Sequence, residues 1–363
     1  MYLMTDPRKL VFFVSPAWRR AGFQHIPLLY PFWGNALDKE RVPFQYALFE
    51  RFGYDPAHYS ITDREEEADL ILMPYAHNLV LRFMPELLQE CQAAAKRLHT
   101  LLLVDGVGDI EHPTPPDALV LRYGGYRFSH TPNEIIVPPY ADDLLELYCG
   151  GQLRLRQWRD VPVVGFSGWA SLTPLQEMKA LLKELPDRLR GIFMSRYRAK
   201  QKGVFFRRKA LSILRRSSKL MLHTMVRHSY SGHRDTMSSS ADTLRREFVD
   251  NLLESDYGLD IRGDANASMR LFEILSLGRI PVVIDTERNF PLQEKLDYNS
   301  FALIVDFREL GKLGERIAAF HRSLTPEQFQ SMQRRARDAF CNYLRTDALT
   351  PFLMEEVRKR AGL

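Results

Sequence analysis

The sequence predicts an α/β protein of two domains with parallel sheets, and three observations carry that expectation. The stretch Tyr257 to Phe290, YGLDIRGDANASMRLFEILSLGRIPVVIDTERNF, reads strand, polar loop, helix, strand. The chain of 363 residues is long enough for two ordinary domains, and 45% hydrophobic residues can fill two cores. The first half alternates short apolar runs with segments of helical spacing.

In the first of these, Tyr257, Leu259 and Ile261 alternate with smaller or polar residues, as in a strand entering a sheet. Arg262-Gly263-Asp264-Ala265-Asn266 breaks the pattern. From Ser268, Leu271, Ile274 and Leu275 recur at helical spacing, and Gly278 sits where a helix ends. Ile280 to Ile284 is the next strand. Such a unit places its loop and helix N-terminus at the carboxyl edge of a parallel sheet, where free N–H groups and the helix dipole favour an anion. Arg262, Ser268 and Arg270 offer two guanidiniums and a hydroxyl, which suit a diphosphate. Glu273, one turn on, is placed to accept from ribose hydroxyls. The plain alternative makes Arg270 and Glu273 a surface ion pair.

Taken in order, Val11 to Val14 is a strand and Ser15 to Asn35 a long loop rich in aromatics and prolines. Phe44 to Phe52 reads as a short helix, Leu70 to Met73 as a strand, and Leu87 to Leu98 as a helix with one apolar face. Leu101 to Val104 is a strand ending at Asp105-Gly106-Val107-Gly108-Asp109, and Leu119 to Leu121 another ending at Arg122. Ile135 to Tyr140 completes the half, and Asp142 to Asp160 is the linker, helical at first. Val161 to Phe166 opens the second domain. The following Ser167-Gly168-Trp169 is either a second phosphate-binding turn or an ordinary tight turn. A helix begins near Pro174.

Ser195 to Lys219 holds ten Lys or Arg residues. Its plainer reading is a solvated basic face, its sharper one a contact with anionic lipid or a lipid-diphosphate acceptor. No nucleic-acid motif accompanies the charge, so nucleic acid is not an expected partner. His223 to Ser240 reads as a polar loop. Its histidines, His223, His228 and His233, lack Cys or acidic partners at ligand spacing, which argues against a metal. Leu244 to Leu253 is a helix. After Phe290, Phe301 to Val305 reads as a strand, and Leu310 to Phe320, Pro326 to Leu344 and Thr350 to Ala361 as helices.

The run RGDANASMRLFEILSLGRIPVVIDTERNFPLQEKLDYNSFALIV resembles the C-terminal signature of the exostosin-type glycosyltransferases, family 47. It has the Arg262-Gly263 pair, Ser268-x-Arg270, Glu273, the Gly278-x-Ile280-Pro281-Val282 strand, Phe290-Pro291 and the pair Asp297-Tyr298. It departs from many members in Asp260-Ile261, where they carry Cys-Pro. The likeness is strong over the last third and rests on the order of elements in the first half. It implies a GT-B fold, two Rossmann-like domains facing across a cleft. Residues 1–150 would form the acceptor-side domain and 151–345 the donor-side domain, with a C-terminal helix at 346–363 crossing back to the first. The implied reaction is inverting transfer from a nucleoside-diphosphate sugar, UDP-sugars favoured, to a glycan or lipid-linked glycan, in making a bacterial surface polysaccharide. Donor-binding residues would be Arg262, Gly263, Ser268, Arg270 and Glu273, with Gly168 and Arg246 beside them. Arginines and helix dipoles would serve in place of a metal or other cofactor.

A base should come from a loop of the first domain. His25, Asp105 and Asp109 are the candidates, against plain readings as a packed loop histidine and turn residues. Arg122 is a candidate for acceptor or donor phosphate. The net charge of +5 suits nucleotide sugars and anionic surfaces alike. The three scattered cysteines and the short first apolar run lead to an expectation of a cytoplasmic protein, with a peripheral place at the inner membrane as an addition. Two other classes stand beside the transferase: a non-catalytic binder of nucleotide sugar or glycan, and a peripheral membrane binder using 195–219.

Overall fold

The computed structural model describes residues 8–108, 112–113, 115–227 and 241–363. The first sheet uses β1 (Leu10–Phe13), β2 (Tyr59–Thr62), β3 (Leu70–Leu72), β4 (Leu102–Asp105), β5 (Ala118–Arg122) and β6 (Glu134–Ile136). Their order is β2-β1-β3-β4-β5-β6, and every pairing is parallel. The connections carry α1 (Tyr30–Trp33), α2 (Pro43–Phe52), α3 (His77–Phe83) and α4 (Pro85–Arg97). Strands β3, β4 and β5 are buried throughout, as continuous apolar runs in a covered parallel sheet must be.

After α5 (Leu144–Cys149), the second sheet contains β7 (Val163–Trp169), β8 (Met221–Arg227), β9 (Tyr257–Asp260), β10 (Ile280–Asp285) and β11 (Leu303–Asp306). Its order is β11-β10-β9-β7-β8, again all parallel. Between and after these strands lie α6 (Pro174–Phe193), α7 (Gly203–Arg215), α8 (Ala241–Leu253), α9 (Met269–Ser276), α10 (Leu313–Ser323), α11 (Pro326–Ala339) and α12 (Thr346–Ala361). Helix α12 packs Leu349, Leu353, Met354 and Val357 into the core of the first sheet. The Asp55 N–H donates to Thr350 Oγ1 on that helix at 3.0 Å.

The close fit of α9 on its sheet has a local cause. A Cβ on Gly258 would stand 2.6 Å from Ile274 Cγ1, so only glycine at this point of β9 lets the helix lie so near. Past the helix, Gly278 takes φ of +62°, the left-handed turn that starts β10.

Two sequence expectations are corrected. Ser167-Gly168-Trp169 does not follow the strand as a turn; it continues β7, because β8 pairs alongside as far as Trp169 opposite Arg227. Strand β8 itself covers 221–227, where a polar loop was expected from 223. It is an edge strand, half-exposed along most of its length, so its polar residues are compatible with pairing. Strand β2, an edge strand of the first sheet, has no counterpart among the strands expected from the sequence.

The carboxyl ends of the two sheets face each other. Gly106, Gly108 and Arg122 to Gly124, beyond β4 and β5, line a crevice whose other wall is Ala265 to Ala267, beyond β9. This is the GT-B arrangement.

Candidate active site

The second-domain side of the crevice is built around α9. Arg270 lies in its first turn, and its guanidinium bends back over β7. Its Nη2 donates to the Ser167 carbonyl at 2.9 Å, and its carbon lies 4.7 Å from the centre of the Phe166 ring. Gly168, at φ of +150°, leaves the needed room, since a Cβ there would be 2.5 Å from Arg270 Nη2. Nε and Nη1 of Arg270 are out of solvent and have no hydrogen-bond partner among the described residues. Burial draws the guanidinium pKa down, and Asp260 and Glu273 oppose that pull. Ser268 is the N-cap of α9, yet its hydroxyl makes no capping bond. A buried cation with two idle donors, beside a free hydroxyl and a helix N-terminus, is chemistry for an anion.

Glu273 is 6% exposed and is gripped by Arg245 of α8, which also donates to Asp142 Oδ2 at 2.8 Å. Burial alone would lower the Arg245 pKa; Glu273 and Asp142 together raise it. Both Arg245 and Arg246 stand near the start of this helix in the sequence, where Arg246 is the donor-site candidate. Arg246 is exposed and pairs with Asp242 of its own helix at 2.8 Å. A signal was available: Arg245 stands three, four and seven residues before the buried Phe248, Val249 and Leu252, hence on the inward face.

Arg262 is 1% exposed. It donates to the carbonyls of Gly263, Asp264 and Ala265 in its own loop and to those of Ala199 and Gln201. Only its Nε lacks a partner among the described residues. In this structure Arg262 and Gly263 shape the loop before α9. The loop is also fastened to the first domain: Asn266 Nδ2 donates to Gly125 O at 3.0 Å, and within its own domain to Thr286 O at 3.1 Å. Arg127 crosses the same seam to Asp285 Oδ2 at 2.8 Å.

The first-domain side has a different character. A cavity of about 230 Å³ is lined by His77, Asn78, Gly106, Val107, Gly108, His112 and Arg122. It shares Gly106, Gly108 and Arg122 with the crevice that leads to Ala265–Ala267. His77 opens α3 just after β3. It is 2% exposed, and neither ring nitrogen has a hydrogen-bond partner among the described residues. Burial, then the nearby His112 and Arg122, pushes its pKa down to about 4, so the ring is neutral near pH 7. Arg122 donates from Nε to Glu134 Oε1 and from Nη2 to the His112 carbonyl, both at 2.6 Å.

Of the expected bases, His25 and Asp105 do not line this cavity. His25 bonds Gly34 O at 2.8 Å and packs against the rings of Tyr30 and Trp33. Asp105 is 3% exposed, and burial raises its pKa to about 7, with the Val107 N–H opposing. It acts electrostatically on buried Tyr54 and half-buried Tyr123 and Tyr140 and is not among the residues lining the cavity. Asp109 lies outside the described residues, as do His228 and His233. His223 is in β8, 3.7 Å from Glu254. His77, and Arg245 in place of Arg246, are thus the residues to which the sequence assigns no role.

Residues 192–320 match the family model described as the Exostosin GT47 domain. No curated protein matches the chain. Among solved structures, Anabaena HepE (Alr3699), solved in complex with UDP, is 11% identical with a TM-score of 0.38, covering 97% of this chain and 100% of that one. A glycosyltransferase from Rickettsia africae is 10% identical with a TM-score of 0.36, over 82% of this chain and 78% of that one. TarM is 8% identical with a TM-score of 0.34, over 70% of this chain, which spans only 54% of TarM. The matched segment, about a third of the chain, runs from the end of α6 to within α10 and contains the loop before α9, Arg270 and Glu273; over this segment the chain is similar to the exostosin-type, family 47 glycosyltransferases.

Proposed function

We propose that the protein transfers a sugar from a nucleoside-diphosphate sugar, UDP-sugars foremost, to a hydroxyl of a glycan or lipid-linked glycan. The observation that carries this reading is Arg270, a buried guanidinium with two idle donors at the N-terminus of α9. Leaving such donors unmatched costs about 1–3 kcal/mol each, which a diphosphate would recover. Ser268 adds a hydroxyl to the same phosphates. Glu273, held in place by Arg245, keeps lone pairs for the ribose hydroxyls. The phosphate charge that grows as the anomeric C–O bond breaks is met by Arg270 and the α9 dipole.

On the other side, the cavity beside His77 receives the acceptor. Its neutral imidazole takes the proton from the attacking hydroxyl as the new glycosidic bond forms. Attack from the face opposite the diphosphate inverts the anomeric centre. Inversion, and a place in building a bacterial surface polysaccharide, are supported by the family resemblance.

A thermal-shift screen of the purified protein against UDP, GDP, dTDP and CDP, repeated on Arg270→Ala, tests the reading. Stabilisation by one nucleotide in wild type and its loss in Arg270→Ala is the expected result. No stabilisation by any nucleotide, or one unchanged in Arg270→Ala, sinks it.

A further inference from the structure

Helix α6 leaves an apolar face bare. Leu175, Met178, Leu182, Leu185, Leu189 and Ile192 recur every three or four residues along it, and all are exposed. Ile192 is 74% and Phe193 88% exposed, at the end where the helix turns into 195–200. The opposite face, Ala180, Glu184 and Gly191, is buried, and Glu184 Oε1 accepts from the Lys202 N–H. The helix is therefore fixed to the domain by one side and offers the other to its surroundings.

Charge identifies what covers that face. Lys179, Lys183 and Arg190 are all exposed and share one edge of the stripe, spaced four and seven residues apart. Beyond the helix, Arg196, Arg198, Arg208 and Lys209 are exposed as well. An apolar stripe bordered by lysine and arginine matches an anionic lipid surface, where the stripe meets acyl chains and the cations meet phosphates. A second copy of the helix suits the face less well. With Leu181 and Phe193 included, the stripe spans roughly 120° at about 100° per residue, broader than a coiled-coil seam. It lasts under three heptads and is interrupted by Pro186. Among the described residues no helix is long and apolar enough to cross a membrane, so the contact is one of lying on the surface.

We propose that α6 docks the protein in the plane of an anionic bilayer, its Leu175–Phe193 stripe sunk to the headgroup–acyl boundary. A lipid contact was the alternative reading of 195–219, beside a solvated basic face; the apolar element lies on the helix before it. The docked end lies near the seam between the domains. Tyr197, just after α6, is 6.3 Å from the ring of Phe128, and Arg196 stands 5.7 Å over Phe128. Phe128 stacks on Tyr126, which bridges to Arg288 of the other domain. A docked molecule would bring the mouth of the cleft to the bilayer, within reach of a lipid-carried acceptor. Docking itself does not depend on the donor reading, so the two stand or fall separately.

Vesicle co-sedimentation of the full chain tests it, with phosphatidylglycerol–phosphatidylcholine vesicles against pure phosphatidylcholine. Binding to the anionic vesicles is expected, and it falls by roughly a hundredfold in Leu182→Glu/Ile192→Glu, about tenfold for each exposed side chain lost. Lys179→Gln/Lys183→Gln/Arg190→Gln should also weaken it and flatten its salt dependence. An unchanged circular-dichroism melt shows that these surface variants still fold. Phe193→Trp should emit further to the blue when vesicles are added. Absence of vesicle binding, or binding equal in wild type and Leu182→Glu/Ile192→Glu, overturns the proposal. A wild-type dimer that becomes monomeric in that variant, with no vesicle binding, assigns the face to a second copy and overturns it too.

Discussion

The two walls of the cleft are built from the same kind of element, the carboxyl edge of a parallel sheet, yet their chemistry differs. The donor wall is dense in charge: Arg270, the Arg245–Glu273–Asp142 chain and the buried pair of Arg288 with Asp260 at 2.7 Å. The acceptor wall, beside its one buried ion pair of Arg122 with Glu134, carries groups that are neutral or nearly so: His77, Asp105 and the tyrosines behind it. On the proposed function, the difference follows from what each wall would hold. A diphosphate needs fixed cations whose own carboxylate partners keep them in place. A sugar hydroxyl needs a base that is unprotonated and not already occupied by a hydrogen bond.

The sharpest way to break this contrast is to remove the imidazole. His77→Gln should lower kcat by about 10²–10⁴ while leaving nucleotide stabilisation intact. Steady-state kinetics beside the thermal-shift assay would show it. A normal kcat would give the proton to another group and leave the acceptor wall without its distinguishing residue.

The donor wall should instead answer in stability. Arg288→Ala leaves Asp260, 0% exposed, as a buried charge without its partner. Removing one member of such a pair costs about 3–5 kcal/mol, readable as a shift of the urea midpoint. A loss below about 1 kcal/mol would show that water reaches Asp260 and that this wall is softer than its packing implies.

How far these walls could be read from the sequence differs in the same way. The strand, loop and helix of the donor wall were legible because Tyr257, Leu259, Leu271, Ile274 and Leu275 obey two clean periods. Arg270 was placed by its spacing from Ser268. Arg262 was harder, because a guanidinium fits carbonyls as well as phosphates. Its orientation depends on Ala199 and Gln201, which arrive from some sixty residues away. Arg245 against Arg246 turned on which face of α8 packs inward, and Phe248 and Leu252 held that information. His77 left no such mark. Its interest lies in having no partner, and a missing contact has no sequence pattern.

Titration of Asp105 offers a gentler test of the acceptor wall. The folded carboxyl holds its proton up to about pH 7, while an unfolded one releases it near 3.8. Between those values the folded state binds more protons, so stability falls as pH rises through the window. By pH 8 the loss relative to pH 4 attributable to this group is about 4 kcal/mol. Asp105→Asn keeps the shape and cannot ionise, so its denaturation midpoint should gain on wild type across that range. Parallel pH curves for the two would mean that Asp105 is ionised and hydrated, and that charge reaches both walls of the cleft.

The smallest expected effect separates position from charge on the donor wall. Gly168→Ala adds one methyl group 2.5 Å from Arg270 Nη2, at a φ that side chains rarely adopt. The backbone strain costs about 1–3 kcal/mol of stability. The guanidinium keeps its charge but is pushed from the Ser167 carbonyl that aims it. If aim matters, nucleotide affinity should fall by about tenfold, less than the loss in Arg270→Ala, because a displaced cation still attracts phosphate. Titration calorimetry with the nucleotide selected by the screen reads this directly. Affinity equal to wild type would show that charge near α9 is sufficient, and that the bend of Arg270 over Gly168 serves the fold of β7 instead of the ligand.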